Sequence, residues 1–325
     1  MSTAQPRTVF FDAATYGDIS LGSLTDRWQC TVHHVTCPEE TIQRLAGHAV
    51  AVTNKVVMDR AALNSNEAQD LKLIAVAATG TDIIDKAAAA QRGVAVCNVP
   101  GYATQSVAQF TMALILELAT RAGHYGDAVK AGEWQKSPVF TLLTYPTVEL
   151  NGKTLGIIGY GNIGQTVARM ARGFGMAILV AARPGGRGPI PADRTPLEQL
   201  LKNADVVSLH CPLTPETKHL INKQSLSLMK PTAFLINTAR GALIDEAAVI
   251  AALREKRIAA AALDVITQEP PPANHPIIQA AKEIENLLVT PHTAWSAQEA
   301  RARLLGEVAA NIAAFFAGEP KNIVA

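Results

Sequence analysis

A glycine-rich turn near the middle of the chain constrains the fold more than any other sequence feature. In "TLGIIGYGNIG" an apolar, strand-like run leads directly into Gly159, Gly161 and Gly164. The first glycine allows a tight turn, the second lets a pyrophosphate approach the backbone, and the third lets a helix pack closely on the sheet. The free N–H groups at the start of that helix then face the phosphates. The motif predicts a doubly wound α/β domain that binds a dinucleotide.

Strand-like runs alternate with helix-compatible segments over almost the whole chain, which predicts parallel sheets joined by crossover helices. The first hundred residues contain five such runs, TVFFDA, CTVHHV, AVAVTN, LKLIAVAAT and VAVCNV. A long helix is predicted from about Gln105 to Arg121. A second series then contains six runs, TLGIIG, AILVAA, ADVVSLH, AFLINT, AAALDV and NLLVTP. Six strands are enough for a complete dinucleotide-binding domain.

Capping residues indicate where some of the helices begin. Thr195 is predicted to cap a helix that starts at Pro196, because proline is favoured at the first helical position. Asp245 is predicted to cap a second helix in the same way. A final helix is predicted from about Ser296 to Phe316.

Composition excludes several classes of function. The length of 325 residues favours two domains, and a formal net charge of +1 provides no basic excess for a nucleic acid. Four scattered cysteines form no CxxC pair, so neither a metal site nor a disulfide framework is predicted. The N-terminal segment lacks the apolar run of a signal peptide, and the apolar segment VAQFTMALILELA is too short to span a bilayer. We therefore expect a cytoplasmic protein that binds neither membrane nor nucleic acid.

Three chemically capable side chains follow strands of the second series. Arg240 comes after AFLINT, Glu269 after AAALDV, and His292 after NLLVTP. Each residue alone also fits an ordinary surface or loop position. Because ligands of doubly wound sheets bind beyond the carboxyl ends of the strands, the shared placement favours a common site.

These three side chains suit the reduction of a 2-oxo acid. An arginine can bind the substrate carboxylate through two parallel hydrogen bonds. A histidine can give a proton to the carbonyl oxygen as a hydride arrives at the carbon. A carboxylate beside the imidazole favours its protonated form and fixes its orientation. We therefore predict Arg240 as the carboxylate clamp, His292 as the general acid and Glu269 as its partner.

The residue after the strand AILVA bears on which dinucleotide is expected. NAD-binding domains carry an acid there to accept hydrogen bonds from ribose hydroxyls, but this chain has Ala182. Arg183 follows directly and Arg187 follows across the "PGG" turn, and either guanidinium suits the 2′-phosphate of NADP. The alternative is that both arginines are solvated and that NAD, or both cofactors, are used. We expect NADP to be used at least as well as NAD.

The ordered motifs GYGNIG, HCPLTPETKHLI, INTARGALID, ALDVITQEP and TPHTAW resemble those of the D-isomer-specific 2-hydroxyacid dehydrogenase family. The resemblance covers nearly the whole chain. It implies a Rossmann cofactor domain, residues 101–292, inserted into a flavodoxin-like substrate domain formed by residues 1–100 and 293–325. Both domains are then doubly wound parallel sheets. It also implies a homodimer that forms through the cofactor domain.

The resemblance also implies the roles of individual residues. Arg240, Glu269 and His292 correspond to the catalytic residues of the family. The residues that correspond to its substrate-binding positions are Ala78, Thr79, Gly80, Arg240 and His292. Those that correspond to its cofactor-binding positions are Thr104, Gly159, Tyr160, Gly161, Asn162, Ile163, Gly164, Arg183, Cys211, Pro212, Thr217, Thr238, Ala239 and Asp264.

Within the family, the segments TNKV, AGEWQ and TAWSAQEARARL look most similar to glycerate dehydrogenases, also called hydroxypyruvate reductases. We therefore expect reduction of hydroxypyruvate, and of glyoxylate, to the D-2-hydroxy acid. Two alternatives stay open at the level of sequence. One is a dehydrogenase for another D-2-hydroxy acid, and the other is a corepressor-like protein that binds the dinucleotide as a signal.

Overall fold

The computed structural model describes residues 5–186 and 189–325. The chain divides into two compact units, which we name the split unit and the central unit. The split unit consists of Met1–Ala103 and Ser296–Ala325, and the central unit is Thr104–Trp295. The central unit is thus a single stretch of chain, whereas the split unit is built from both ends of the chain.

The split unit contains a parallel sheet of five strands in the order β2-β1-β3-β4-β5. This is the flavodoxin-like order, in which the direction of winding changes between β1 and β3. The strands are β1 (Thr8–Phe10), β2 (Cys30–Val32), β3 (Val50–Thr53), β4 (Leu73–Val76) and β5 (Ala95–Cys97). The α-helices are α1 (Gly22–Thr25), α2 (Thr41–Leu45), α3 (Arg60–Leu63), α4 (Lys86–Gln91) and, after the central unit, α12 (Gln298–Phe316). Each predicted run of the first series contains one of these strands.

The central unit contains a parallel sheet of six strands in the order β11-β10-β9-β8-β6-β7. The strands are β6 (Thr154–Ile158), β7 (Ala177–Val180), β8 (Val206–Leu209), β9 (Phe234–Asn237), β10 (Ala260–Leu263) and β11 (Leu287–Val289). The helices are α5 (Thr104–Thr120), α6 (Ala122–Lys130), α7 (Asn162–Gly173), α8 (Leu197–Asn203), α9 (Lys223–Leu228), α10 (Glu246–Arg254) and α11 (Pro276–Glu283). All six strands lie within the predicted runs.

Helices cover both faces of the central sheet. Consecutive strand residues point to opposite faces, so Leu235 and Ile236 of β9 belong to different hydrophobic cores. The core on the Ile236 face includes Leu118 of α5 and Val167 of α7. Burial of both faces explains why the strands are mostly apolar.

The segment before α8 differs from its prediction. Thr195 does not cap the helix, because its backbone instead forms a single parallel bridge with Ala181 on the outer edge of β7. Its N–H donates to the carbonyl of Val180 at 2.8 Å, and its carbonyl accepts from Ala182 at 2.8 Å. Pro196 then takes the cap position, where no side chain accepts a hydrogen bond. Among the described residues, one bridge stands at the place of the third strand of the Rossmann order.

Candidate active site

The three predicted catalytic residues lie at the carboxyl edge of the central sheet. Arg240, Glu269 and His292 follow β9, β10 and β11, which are adjacent in the sheet. Parallel strands end at the same edge, so the three loops are neighbours there. We call these three loops the catalytic rim.

A short hydrogen bond joins the imidazole of the rim to its carboxylate. His292 Nδ1 lies 2.5 Å from Glu269 Oε2, and both side chains keep about a quarter to a third of their surface exposed. The other carboxylate oxygen of Glu269 accepts the N–H of Ile266 at 2.9 Å. Glu269 thus occupies Nδ1 and leaves Nε2 as the imidazole nitrogen that can face a substrate.

Asp264 holds the loop that carries His292. Its carboxylate accepts hydrogen bonds from the Thr290 hydroxyl at 2.6 Å and from the N–H groups of Thr293 and Ala294 at 2.9 Å. The carbonyl of Asp264 also accepts the N–H of His292 at 2.8 Å. Burial raises the pKa of the Asp264 carboxyl, and these hydrogen bonds oppose the rise. The contact of Asp264 with a cofactor stays a prediction, while its support of the histidine loop is observed.

The hydrogen bonds to Asp264 support an unusual backbone conformation at His292. His292 has a φ of +53°, in the left-handed region that non-glycine residues seldom adopt. Such a conformation costs on the order of 1 kcal/mol or more and persists only where the surroundings enforce it. Besides Asp264, Trp295 contributes by donating its indole N–H to the carbonyl of His292 at 2.9 Å.

Asn237, the last residue of β9, shapes the turn that presents Arg240. Its amide nitrogen donates to the carbonyl of Arg240 at 2.8 Å, and its amide oxygen accepts the N–H of Ala239 at 3.1 Å. The side chain is fully buried. Arg240 also donates from Nη1 to the carbonyl of Ala239 at 2.8 Å. Sequence reasoning missed Asn237, although an asparagine before a turn is a recognisable signal.

Gly241 brings the Arg240 turn against the loop of Glu269. A β-carbon at Gly241 would lie 2.0 Å from the carbonyl carbon of Ile266 and 2.5 Å from the nitrogen of Thr267. No other residue type fits, because those contacts are with backbone that cannot move aside. The close approach fixes the spacing between the Arg240 turn and the loop that carries Glu269.

The glycine turn after β6 has the geometry that its motif predicts. Gly159 has a φ of +97°, and a β-carbon there would lie 2.4 Å from the nitrogen of Cys211. A β-carbon on Gly164 would lie 2.2 Å from the carbonyl oxygen of Gly159, so the helix packs tightly on the strand. At Gly161 a β-carbon would meet nothing within 4 Å. The space beside Gly161 is therefore open. The helix α7 begins at the next residue, Asn162, and no side chain caps its first N–H groups.

The loop after β8 borders this turn with uncharged groups. Burial raises the pKa of the Cys211 thiol to about 11 and lowers the pKa of His210 to about 4. Thr217 is buried, and its hydroxyl donates to the carbonyl of Pro212 at 2.8 Å and accepts the N–H of Thr214 at 2.7 Å. The loop is thus held in place by Thr217, and the two groups beside the glycine turn, His210 and Cys211, are uncharged near pH 7.

The end of β7 differs from an NAD site in the way that its sequence suggests. Ala182 is half-buried and Arg183 is exposed, whereas Arg187 lies outside the described residues. A further cation occurs here, because the guanidinium of Arg194 lies 5.1 Å above the centre of the Tyr160 ring. Arg194 was not predicted from the sequence, since only the Thr195 bridge brings it beside β7.

An acid also lies near this end of β7. A β-carbon on Gly185 would be 2.6 Å from Cγ of Glu216, so the loop after β8 contacts the turn after β7. The Glu216 pKa is lowered by a hydrogen bond with Thr214 and, to a smaller degree, by the charge of Arg183. The carboxylate is exposed, so solvent screens much of its effect on a bound phosphate.

Two more residues predicted to contact the cofactor lie in the central unit. Thr104 is the first residue of α5. The Thr238 hydroxyl is buried and lies 3.0 Å from the Thr111 hydroxyl, which links β9 to α5. Thr238 therefore has an internal partner, and its contact with a cofactor stays a prediction.

The predicted substrate loop of the split unit follows β4. Thr79 donates its hydroxyl to the carbonyl of Val99 at 2.9 Å and accepts the side-chain amide of Asn98 at 2.7 Å through its carbonyl. In the part of the chain that the structure describes, the backbone N–H groups of Ala78, Thr79 and Gly80 donate no hydrogen bond. Three successive N–H groups that have no acceptor among the described residues, on a loop held by the hydrogen bonds of Thr79, suit an anion such as a carboxylate.

Within residues 5–186 and 189–325, no cluster of three His, Cys, Asp or Glu side chains is arranged to hold a metal ion. Across the same residues, none of the helices combines the length and the apolar character needed to cross a bilayer.

Comparison with known proteins decides the family. The family model for "D-isomer specific 2-hydroxyacid dehydrogenase, NAD binding domain" matches residues 112–294, within the central unit. The chain belongs to this dehydrogenase family.

Two curated relatives extend the match over most of the dehydrogenase. Glycerate dehydrogenase from Methylorubrum extorquens is 43% identical over 288 residues, which cover 88% of this chain and 88% of the relative. Hydroxypyruvate reductase from Blautia hydrogenotrophica is 36% identical over 315 residues, which cover 95% of each chain. The resemblance proposed from the motifs is therefore confirmed.

Two solved structures share the fold of this dehydrogenase and differ in their cofactor. An acyclic imino acid reductase in complex with NADPH and D-Arg has a TM-score of 0.82 at 29% identity, covering 98% of this chain and 100% of that one. D-lactate dehydrogenase from Aquifex aeolicus, complexed with NAD and lactic acid, has a TM-score of 0.82 at 28% identity, covering 97% and 98%. The fold alone thus accommodates either dinucleotide.

The residues of this dehydrogenase fit a dinucleotide of that class. The open space at Gly161 admits a pyrophosphate, and the uncapped N–H groups at the start of α7 supply its hydrogen-bond donors. The uncharged side chains of Cys211 and Pro212 suit the uncharged adenosine better than they would suit an ion. A dinucleotide bound along this edge supplies the hydride for reduction.

Proposed function

We propose that this dehydrogenase reduces hydroxypyruvate, and also glyoxylate, to the D-2-hydroxy acid with a reduced nicotinamide dinucleotide. The observation that carries the proposal is the 2.5 Å contact between His292 and Glu269 on the same sheet edge as Arg240. The names of the two curated relatives, glycerate dehydrogenase and hydroxypyruvate reductase, support the substrate.

The proposed substrate-binding groups are the Arg240 guanidinium and three backbone N–H groups of the split unit. The guanidinium of Arg240 binds the substrate carboxylate through two hydrogen bonds. The N–H groups of Ala78, Thr79 and Gly80 are proposed as substrate-binding donors of the split unit. Binding the carboxylate places the neighbouring carbonyl carbon, and the rigid Asn237 turn limits how far Arg240 can move.

His292 is the proposed proton donor in reduction. Nδ1 is engaged by Glu269, so Nε2 carries the proton that passes to the substrate oxygen. The Glu269 carboxylate stabilises the charged imidazole before transfer and keeps the ring in one orientation. In the direction of oxidation the same nitrogen removes the proton from the hydroxyl.

We propose NADP as a cofactor that is used at least as well as NAD. Ala182 offers no carboxylate to repel a 2′-phosphate, and Arg183 is exposed beside it. Arg194, stacked on Tyr160, is a second cation close to the glycine turn. A bound phosphate can replace its exposed neighbour Asp193 as the partner of Arg194, because surface ion pairs contribute little.

A panel of 2-oxo acids tests the proposed activity directly. Initial rates with hydroxypyruvate, glyoxylate, pyruvate and a branched 2-oxo acid are measured with NADH and with NADPH. We expect the highest kcat/KM for hydroxypyruvate. A higher value for another acid would identify the alternative dehydrogenase. Tight dinucleotide binding without turnover of any acid would identify the dinucleotide-binding corepressor type.

The homodimer and the cytoplasmic location also belong to this proposal. Large apolar side chains lie exposed on one stretch of the central unit, including Trp134, Val139, Phe140 and Leu143, with Phe140 exposed to 90%. Exposed apolar patches of this kind mark protein contacts. We propose that two copies of the chain associate through this stretch, which light scattering of the purified protein can test.

A further inference from the structure

The loop that carries Glu269 is exposed along most of its length and yet must hold a carboxylate in place. Every residue from 267 to 274 is exposed, whereas His275 at the end of the loop is buried. Loops of this kind are mobile unless other elements restrain them. A positioned proton donor loses most of its value if its partner moves by about 1 Å.

A single buried carboxylate restrains both ends of this loop. Glu246, the first residue of α10, accepts the N–H of Thr267 at 2.7 Å through Oε1. Its Oε2 lies 3.7 Å from Nε2 of His275. Only 11% of the Glu246 side chain and 7% of the His275 side chain is exposed. The two contacts enclose the exposed stretch that contains Glu269.

The restraint leads directly to the proton-donating pair. Thr267 follows Ile266, whose N–H donates to Oε1 of Glu269 at 2.9 Å. Gly241 lies against the same Ile266–Thr267 peptide, so this peptide is held from two sides. Losing the hydrogen bond that Thr267 donates to Glu246 would release one side and let the Glu269 carboxylate move relative to His292.

We propose that Glu246 is a positioning residue that holds Glu269 against His292 through Thr267 and His275. The inference rests on the proposed role of the Glu269–His292 pair in proton transfer. An acid in the first turn of a helix is favoured by the helix dipole, which offsets part of the cost of burying the charge. Helix stability alone does not explain why both oxygens point toward the loop.

The neighbouring residue provides a matched control. Asp245 caps the same helix by accepting the N–H of Ala248 at 3.1 Å, and its carboxylate has no recorded contact with residues 266–275 in the described chain. Asp245→Ala therefore weakens α10 without releasing the loop. A purely structural role of Glu246 would give the same kinetics in both variants.

The test compares Glu246→Ala, Glu246→Gln, Asp245→Ala and Glu269→Gln with the wild type. For each protein, kcat and KM for hydroxypyruvate are measured from pH 5 to 10, and amide hydrogen exchange is measured for residues 264–276. In Glu246→Ala we expect kcat to fall about tenfold at alkaline pH, the equivalent of one charge-assisted hydrogen bond. The alkaline fall in activity should move to lower pH, as in Glu269→Gln, and exchange in the loop should accelerate.

Glu246→Gln keeps an acceptor for Thr267, so we expect an intermediate profile that partly rescues the alanine variant. It also keeps the test valid if the alanine variant does not fold. The double variant Glu246→Ala/Glu269→Gln should match Glu269→Gln alone, because both changes act on one element. Asp245→Ala should keep the pH profile of the wild type.

Two results separate this inference from the proposed function. If Glu269→Gln shifts the profile while both Glu246 variants superimpose on the wild type, Glu246 has no positioning role. If Glu269→Gln leaves the profile unchanged, the pair does not act in proton transfer, and the inference falls together with that part of the proposed function.

Discussion

The glycine turn after β6 and the catalytic rim after β9, β10 and β11 share one edge of the central sheet, but different forces hold them. The turn depends on missing side chains, because Gly159 and Gly164 let backbone segments approach to distances that a β-carbon would block. The rim depends on buried polar side chains such as Asn237, Glu246 and Asp264, which tie separate loops together.

The difference follows from what each site has to do. A pyrophosphate can be bound by backbone N–H groups and a helix dipole, which any short stretch with the right glycines provides. Proton transfer needs a side-chain nitrogen within about 3 Å of one substrate atom, so the supporting loops must be fixed relative to each other. Changes in the rim should therefore alter turnover, and changes near the turn should alter cofactor choice.

Removal of the proton donor should give the largest effect. In His292→Asn we expect reduction to slow by about 10² to 10⁴, the usual contribution of a positioned acid. The dissociation constant of the reduced cofactor, measured by fluorescence titration, should stay nearly unchanged because the turn is untouched. A variant that keeps most of its turnover would remove His292 from the mechanism.

Replacement of the clamp should give the next largest effect. Arg240→Lys keeps the charge and loses the two parallel hydrogen bonds, so kcat/KM for hydroxypyruvate should fall by about tenfold to a hundredfold. Steady-state kinetics at saturating cofactor measure this. Unchanged constants would show that the carboxylate is bound elsewhere.

Cofactor preference should respond to changes at the end of β7, beside the glycine turn. These changes should leave turnover at the catalytic rim unaffected. Ala182→Asp restores an acceptor for ribose hydroxyls and repels a 2′-phosphate, so the NADPH/NADH ratio of kcat/KM should fall by about tenfold or more. Arg194→Gln should lower the NADPH value alone. A wild type with a strong preference for NADH would contradict the proposed use of NADP.

The smallest expected effect is a shift in the pH dependence of reduction. A carboxylate next to an imidazole stabilises its protonated form, and reduction requires that form. Reduction by Glu269→Gln should therefore decline at a lower pH than in the wild type. Superimposed pH–rate profiles for the two proteins would show that Glu269 does not maintain the charge of His292.

The local parts of this molecule were predictable and the non-local parts were not. The strands, the glycine turn and the cap at Asp245 depend on a few consecutive residues, and all three occur as predicted. The cap at Thr195 was wrong because a tertiary bridge with Ala181 uses that residue instead. Sequence spacing alone gives no sign of such a bridge.

The supporting residues of the site were missed for the same reason. Glu246 looks like an ordinary acid at the start of a helix, and only the fold brings Thr267 and His275 to it. Arg194 lies far along the chain from Tyr160, on which it stacks. A chemistry for Arg240, Glu269 and His292 could be proposed from residue type, whereas the groups that hold their loops became visible only in three dimensions.

The single bridge formed by Thr195 has a practical consequence for engineering. Among the described residues of the intervening segment, only Thr195 pairs with β7, so residues 183–186 and 189–194 contribute almost nothing to the hydrogen-bonded ladder of the sheet. That segment can therefore be exchanged as a cassette for loops of other length and charge, with Ala182 and Thr195 kept as fixed ends. A library restricted to it would vary the adenosine end of the enzyme and leave its catalytic geometry intact.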